Sequence, residues 1–321
     1  MAAMAAIAAI TAIAAITTIA ATFAFAFAST AAAAGAERPA AGPRDPRLLL
    51  DAARAGDRLV AVGEWGAVLL SGDRGLHWQA VRVPTEETLT AVRFVDATNG
   101  WAVGHHGTIL ATRDGGSTWT LRSPDPASTE PLLGVAFIDG KNGFAVGTFG
   151  MLLQSKDGIG FVSRDIGQGD RHLKAIAADP AGRIVIASEE GTVYCSSDRG
   201  VTFRQSSTGY AGSFWGALVL PGAAIVFGMR GQVYRSDDDC RSWTKLATGT
   251  AAGLSTATVM SPHSLVLAGA EGTVLASHDG GRRFSAVARS DRSAITAAVG
   301  LDSRDVLLLG RGAPVVMSIG P

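Results

Sequence analysis

Aspartate recurs in this chain at one fixed position of a short motif, Ser/Thr-x-Asp-x-Gly-x-x-Trp/Phe, which we call the Asp turn. Carboxylates repeated in this way can bind Ca²⁺ or act as a catalytic acid and base. A local explanation is simpler, because short Ser, Thr and Asp side chains bond nearby backbone N–H groups and Gly supplies positive φ. The copies are spread along the chain, one per repeat, so we predict a structural role. The Asp-turn residues are Ser71, Asp73, Gly75, Trp78, Thr112, Asp114, Gly116, Trp119, Asp157, Asp198, Phe203, Asp238, Trp243, Asp279 and Phe284.

A second set of chemically active side chains occupies a turn that follows an apolar-Ala/Gly-apolar-Gly segment in every repeat. This turn is the most variable part of the repeat, and its large apolar and imidazole groups have no evident core to fill. Exposed aromatic and Arg side chains are typical interface anchors. We therefore predict a partner-binding face formed by Glu64, Trp65, His105, His106, Phe149, Glu189, Glu190, Met229, Arg230, Glu271 and Arg311.

Enzymatic and metal chemistry are poorly supported by the same residues. A glycosidase with two convergent carboxylates stays open as an alternative, because four of the turn residues are Glu. His105 and His106 could ligate a metal, but no further ligands accompany them. No nucleophile–His–Asp set, phosphate loop or redox motif is found. We predict no catalytic residue, no metal and no cofactor.

The spacing of these motifs indicates a seven-fold repeat. The residues just before the variable turn recur every 40 to 43 positions, and they are Gly63, Gly104, Gly147, Ser188, Gly228, Gly269 and Gly310. Each unit contains several short apolar runs separated by Gly, Asn and Asp turns, which is typical of an antiparallel meander. A repeat of this length predicts an all-β fold, a seven-bladed β-propeller of four-stranded antiparallel blades over residues 48–321.

The segment before the repeats has a different composition. Residues 1–36 contain no charged side chain, and Glu37 is the first. This long apolar stretch predicts a signal peptide with small-residue cleavage sites, although it lacks a Lys or Arg near Met1. An uncleaved membrane anchor is the alternative, since the stretch exceeds 18 residues. The last repeat lacks a fourth strand, so we predict that the Pro-rich segment 37–47, with residues around Ala36 to Arg47, pairs there as the outermost strand.

The chain has two cysteines, Cys195 and Cys240, in adjacent repeats. Cys195 ends a third strand, and Cys240 replaces the Gly of the fifth Asp turn. An oxidising compartment permits a disulfide between them. However, outer turns of adjacent blades are expected to splay apart, which makes the required geometry doubtful. The pairing therefore stays open at this point.

Two segments of the repeat resemble a known family. FVDATNGWAVGHHGTILATRDGGSTW (Phe94 to Trp119) and FIDGKNGFAVGTFGMLLQSKDG (Phe137 to Gly158) are similar to the photosystem II stability/assembly factors. The resemblance implies an exported seven-bladed propeller that helps to assemble and repair a reaction centre. It also implies that a new core subunit binds to an arginine-rich surface. The variable turns of this chain instead hold four Glu and two Arg.

Together these observations predict an exported, non-enzymatic propeller that acts as an assembly, stability or accessory factor for a membrane protein complex. We expect it in the periplasm, or in the thylakoid lumen of a phototroph, as a monomer. Nucleic acid is not an expected partner, because 28 basic residues balance 28 acidic ones. The alternatives are an Asp-box glycoside hydrolase of the sialidase type, although the sialidase tyrosine and arginine motifs are not found, and an envelope interaction scaffold.

Overall fold

The computed structural model describes residues 48–123, 129–289, 291–310 and 314–319, and these residues form seven antiparallel sheets. Six sheets have four strands in sequential order, and the seventh has three within the described residues. The all-β, seven-bladed propeller predicted from the sequence is confirmed. Among the described residues, no helix is long and apolar enough to cross a bilayer.

The strands of the first four blades are β1 (Leu49–Ala55), β2 (Arg58–Gly63), β3 (Ala67–Ser71), β4 (Gln79–Ala80); β5 (Leu89–Phe94), β6 (Gly100–Gly104), β7 (Ile109–Thr112), β8 (Thr120–Leu121); β9 (Leu132–Phe137), β10 (Gly143–Gly147), β11 (Leu152–Ser155), β12 (Val162–Ser163); β13 (Ala175–Ala178), β14 (Ile184–Ala187), β15 (Thr192–Ser196) and β16 (Arg204–Ser207). The last three blades contain β17 (Phe214–Leu220), β18 (Ala223–Gly228), β19 (Val233–Ser236), β20 (Thr244–Leu246); β21 (Leu254–Val259), β22 (Leu265–Gly269), β23 (Val274–Ser277), β24 (Ser285–Ala286); β25 (Ile295–Gly300), β26 (Asp305–Gly310) and β27 (Val315–Ser318). Single tight turns at Glu64–Gly66, Met229–Gly231 and Ala270–Gly272 join second to third strands, and their central residues have positive φ.

The core lies between the blades. Second strands such as β6 and β10 are buried along their whole length, because a neighbouring blade covers each of their faces. Trp101 of blade 2 stacks on Phe137 of blade 3 with ring centroids 3.5 Å apart. Its indole N–H donates to the carbonyl of Gly158, at 3.0 Å. Burial on both faces explains why these strands are apolar throughout instead of alternating.

Six innermost strands, all except β13, carry a bulge near their start. Hydroxyl groups at several of these bulges join successive blades. Thr90 donates to the carbonyl of Leu132 in the next blade at 2.7 Å. Ser255 makes the same bond to Ile295, at 2.6 Å, and Thr296 of blade 7 donates to the carbonyl of Leu49 in blade 1. The ring therefore closes by direct contact between its first and last blades.

Two further contacts reinforce this closure among the described residues. Arg54 Nη1 of blade 1 donates to the carbonyl of Leu301 at 2.7 Å. Arg74, also in blade 1, pairs with Asp302 at 2.7 Å and with Asp305 at 3.0 Å. The predicted signal peptide, residues 1–36, and the predicted closing segment, residues 37–47, both lie outside the described residues.

Cys195 and Cys240 form a disulfide. The expectation that the outer turns of adjacent blades splay too far apart for this bond was therefore wrong. The Cα atoms of the two cysteines lie 6.4 Å apart, within the usual range. Asp turns do not splay from the preceding blade. A Cβ placed on the Asp-turn glycine Gly200 would lie 2.3 Å from Phe144 of the blade before it, so this position faces that blade closely. In blade 5 the same position holds Cys240, which meets Cys195 across the boundary.

Candidate partner-binding face

The variable turns between second and third strands share one backbone geometry. In each of the six described turns the second residue lies in the left-handed region, with φ between 49° and 58°, and a glycine with φ between 61° and 68° follows. The N–H after the glycine donates to the carbonyl of the first turn residue, as from Thr192 to Glu189 at 2.9 Å. This is the I′ type of hairpin turn. The left-handed residues are Trp65, His106, Phe149, Glu190, Arg230 and Glu271.

This geometry decides which turn side chains face solvent. The second residue projects outward, so Trp65 is 68% exposed and Phe149 is 62% exposed. His105 is exposed as well, whereas Glu64, Glu189 and Met229 at the first position are half-buried. Arg311, in the seventh turn, lies outside the described residues. The predicted face thus contains a projecting row of second-position side chains and a recessed row of first-position ones.

Each variable turn is held between two connections that join one blade to the next. His105 N–H donates to the carbonyl of Thr88, in the connection entering its own blade, at 2.9 Å. Gly107 N–H donates to Glu130 O, in the connection leaving that blade, at 2.9 Å. A Cβ on Gly66 would lie 2.4 Å from the carbonyl oxygen of Thr85, so glycine is required at that close approach. The turns and connections therefore form one packed surface.

The connections supply cations that pair with the turn carboxylates. Glu189 lies 3.6 Å from Lys174 Nζ, and Glu190 lies 3.5 Å from Arg171 Nε. Glu271 pairs with Arg292 at 3.1 Å. The variable turns alone contain four Glu and two Arg. This count leaves out three cations that the connections place on the same face. In the sequence these cations stand shortly before two innermost strands, Arg171 and Lys174 before β13 and Arg292 before β25.

Phe149 is an exposed aromatic residue that is held by contacts with His172. Its N–H donates to Nδ1 of His172 at 2.9 Å, and the two rings meet edge to face with centroids 4.8 Å apart. The neighbouring Thr148 hydroxyl donates to Glu130 at 2.9 Å. These contacts hold an exposed apolar ring in a defined orientation, which limits the entropy lost when a partner covers it.

A cavity of about 440 Å³ runs along the propeller axis and is lined by the innermost strands. Lys174 and Trp215 line it, near the starts of the innermost strands of blades 4 and 5. Trp215 is 39% exposed and packs against Gly253 of the following connection, where a Cβ would lie 2.6 Å from the ring. Sequence reasoning missed Trp215, because it lies in a strand and not in a variable turn.

The adjacent His105 and His106 were considered as metal ligands in the sequence, although no metal site was predicted. His106 Nδ1 lies 2.7 Å from Glu87 Oε2. Across the described ranges, no group of three or more His, Cys, Asp or Glu residues is arranged to hold a metal ion.

The Asp turns lie at the opposite ends of the third strands from the variable turns, and their polar groups are used locally. Ser71 Oγ donates to Asp73 at 2.8 Å and accepts from the N–H of Gly75 at 2.9 Å. Hydrogen bonds from the backbone N–H and the side chain of His77, with one from Ser71, lower the pKa of Asp73 to about 2. The Trp78 indole N–H closes the turn on the carbonyl of Gly75 at 3.0 Å.

The same network recurs in the other described copies. Hydrogen bonds from the side chain and backbone of Thr202 and from Ser196 lower the pKa of Asp198 to about 2. Burial raises the pKa of Asp114, but hydrogen bonds from Thr118 and Thr112 outweigh it and the pKa is lowered. Each carboxylate thus accepts hydrogen bonds from residues of its own Asp turn.

The fold and the turns described above are those of a seven-bladed propeller built from Asp-turn repeats. One face of this propeller is a packed surface of variable turns and connections. Residues 70–164 match the family model described as photosynthesis system II assembly factor YCF48. The resemblance to the photosystem II stability/assembly factors is thereby confirmed over this segment.

Two curated relatives match over short segments. The chain is 44% identical over 46 residues to photosystem II assembly protein Ycf48 of Thermosynechococcus vestitus, covering 14% of this chain and 13% of the relative. It is 40% identical over 83 residues to the chloroplastic photosystem II stability/assembly factor HCF136 of Cyanidioschyzon merolae, covering 24% and 19%. The chain thus spans less than a fifth of the length of these relatives.

Two solved structures share the fold across most of the chain. A structure of YCF48 bound to a D1 peptide superimposes with a TM-score of 0.70 at 17% identity, covering 85% of this chain and 94% of that one. YCF48 from Cyanidioschyzon merolae gives 0.68 at 14% identity, covering 85% and 96%. At these identities the similarity establishes the fold.

Proposed function

We propose that this protein is an exported, non-enzymatic factor that assists the assembly or stability of a membrane protein complex, in the manner of the photosystem II assembly factors. The observation that carries the proposal is the match of residues 70–164 to that family. The YCF48 structure that shares this fold holds a D1 peptide. By analogy, the client of this protein is a segment of a membrane-protein subunit.

The face of variable turns and connections is where we place the client. It combines the exposed rings of Trp65 and Phe149 with the exposed Arg230 on a surface fixed by backbone hydrogen bonds. Aromatic and Arg side chains on a preorganised surface give interface energy at low entropic cost. Paired acids and bases around them suit a polar rim.

Export is supported by two independent features. Residues 1–36 have the apolar, uncharged composition of a signal peptide. The disulfide between Cys195 and Cys240 is typical of an oxidising compartment such as the periplasm or a lumen. We propose that the exported protein works there as a monomer, without nucleic acid or cofactor.

A hydrolase function is less well supported by the turn carboxylates. A glycosidase requires one carboxyl group that stays protonated and acts as a general acid. Glu189, Glu190 and Glu271 are each already paired with a Lys or Arg side chain of a connection. This arrangement suits a charged binding surface better than an acid and base pair.

The test is recovery of the full-length protein, carrying a C-terminal affinity tag, from detergent-solubilised membranes of its own host. The expected result is co-purification of a subunit of one membrane complex, lost with Trp65→Ala/Phe149→Ala. Leu76→Ala is the matched control, because Leu76 is 73% exposed on an Asp turn away from the face. Recovery without any membrane subunit, or glycoside turnover by the purified protein, would overturn the proposal.

A further inference from the structure

The boundary between blades 4 and 5 is packed differently from the boundary before it. Between blades 3 and 4, the ring of Phe144 fills the space against Gly200 of the next Asp turn, where a Cβ would lie 2.3 Å from the ring. By strand pairing, the residue of blade 4 equivalent to Phe144 is Val185. By its hydrogen bond within the Asp turn, the residue of blade 5 equivalent to Gly200 is Cys240. Valine is smaller than phenylalanine, so this boundary keeps unfilled space.

A cavity of about 220 Å³ occupies the boundary on the Asp-turn side of the propeller. Its apolar wall contains Val185 of blade 4, with Val219 and Ala224 of blade 5. The disulfide forms another part of the wall, because both of its cysteines line the cavity. Pockets for drug-sized ligands have volumes of roughly 300–1,000 Å³, whereas an apolar cavity of about 150 Å³ holds benzene. The volume therefore suits a ligand with a body of one small ring.

Arginine side chains dominate the charged part of the lining. The charged lining residues are Arg183, Arg204, Arg241 and Asp239. Arg183 is already paired with Asp179, at 2.7 Å. Arg204 donates to the backbone carbonyl of Asp239, and Arg241 is exposed. In the part of the chain that the structure describes, neither of these two arginines has an ion pair with an acidic side chain. The cavity thus combines an apolar wall with an excess of positive charge.

Contacts across the boundary fix the shape of the cavity. Arg183 Nη2 of blade 4 donates to the carbonyl of Leu220 in blade 5 at 2.7 Å. The indole N–H of Trp243 in blade 5 donates to Ser206 Oγ of blade 4 at 3.0 Å, whereas the equivalent Trp119 bonds to its own Asp turn. The disulfide is a third link between the two blades. A cavity whose walls are joined in this way is preorganised, which lowers the entropic cost of binding a ligand.

We propose that this cavity binds a small organic carboxylate with a compact apolar body, of about the size of benzoate. Arg204 and Arg241 bind the carboxylate, because a guanidinium group presents its N–H donors in a planar fork that fits two carboxylate oxygens. The apolar body packs against Val185 and Val219, where it is removed from water. This site lies on the Asp-turn side of the propeller, so it is distinct from the face of variable turns on which we place the client.

Isothermal titration of the purified native protein with sodium benzoate tests the site. The expected result is saturable binding of one benzoate per chain with a Kd of about 1 mM or tighter, since a ligand of this size makes few contacts. Benzamide keeps the ring without the charge, and sodium sulfate keeps a charge without the ring. Each should bind about tenfold more weakly or worse. No saturable binding of benzoate, or equal binding of either control compound, would overturn the proposal.

An arginine variant tests whether the bound benzoate lies in this cavity. Arg204→Gln/Arg241→Gln should weaken benzoate binding about tenfold or more, because it removes both guanidinium forks. Arg282→Gln/Arg283→Gln is the matched control, since these two exposed arginines lie on the Asp turn of blade 6 and outside the cavity lining. The control variant should bind benzoate as the native protein does. Equal loss of binding in the two variants would indicate a general charge effect and overturn the proposal.

A cavity-filling variant tests the apolar wall. Val185→Phe introduces in blade 4 the ring that Phe144 supplies in blade 3, so it should abolish benzoate binding without lowering the melting temperature. Unchanged benzoate binding in folded Val185→Phe would overturn the proposal. The arginine variant changes only exposed side chains, so it decides the question by itself if Val185→Phe does not fold.

Discussion

Cys240 of blade 5 occupies the Asp-turn position that is glycine in most other blades, and its Sγ is bonded to Cys195 on the third strand of blade 4. The disulfide closes a sequence separation of 45 residues. Cys240 has a φ of 62°, so it retains the left-handed backbone that glycine would adopt there. The cross-link thus replaces the usual contact between an Asp turn and the preceding blade.

Loss of this disulfide should destabilise the propeller by about 2–4 kcal/mol, because it constrains a long loop of the unfolded chain. Thermal unfolding with and without reductant measures the effect. Cys195→Ala/Cys240→Gly should be about 1–2 kcal/mol more stable than Cys195→Ala/Cys240→Ala, since Gly carries no penalty in the left-handed region. Identical melting of oxidised and reduced protein would contradict a stabilising role.

Truncation within an Asp turn should reduce stability without affecting the binding face. Trp119 is 7% exposed, and its indole N–H donates to the Gly116 carbonyl at 2.9 Å. Trp119→Ala should cost about 3–5 kcal/mol in free energy of unfolding. Trp119→Phe is the control, because it keeps most of the buried ring and loses the hydrogen bond, worth about 1 kcal/mol. Chemical unfolding gives both values. Equal losses for the two variants would show that packing is not the main contribution.

Acid should destabilise the protein through the Asp turns. Asp73 and Asp198 have folded-state pKa values lowered to about 2 from 3.8, mainly by hydrogen bonds to the ionised carboxylate. A lowered folded pKa stabilises the native state above the unfolded pKa, and this contribution is lost as pH falls. The melting temperature should therefore stay level down to about pH 4 and fall between about pH 4 and 2.

Thermal scans across that pH range test the effect, and the single variant isolates one carboxylate. Asp73→Asn cannot titrate, so its stability deficit relative to the native protein should shrink as pH falls below about 4. A deficit that is constant from pH 7 to pH 2 would show that the Asp73 carboxylate does not contribute to the acid response.

The repeat made the blades and both classes of turn predictable, because period, Gly positions and Asp turns are all local in sequence. Local patterns did not reveal which side chains meet across blades. The pairing of Glu190 with Arg171 and the bond from Phe149 to His172 depend on a connection lying between two turns. The backbone centres the first variable turn on Trp65–Gly66, since both residues have positive φ.

The expectation about the cysteine pair was wrong for a related reason. A single blade considered alone suggests that its outer turns diverge from those of its neighbour. The structure shows Gly200 of blade 4 within close contact of Phe144 in blade 3, which is a relationship between repeats. Contacts of this kind require the stagger of adjacent blades, which no motif within one repeat encodes.

Partner binding should be separable from stability on the face of variable turns. Trp65→Ala, Phe149→Ala and Arg230→Ala should each weaken the complex with the client by about 1–2 kcal/mol or more, because exposed aromatic and Arg anchors lose buried contact area when truncated. Their melting temperatures should change little, since the three side chains project into solvent. Leu76→Ala and Arg241→Ala are matched controls, both exposed on Asp turns. Affinity for the client recovered from host membranes is measured beside a melting curve for each variant. If the controls lose binding at unchanged stability while the three turn variants bind normally, the client docks on the Asp-turn side of the propeller.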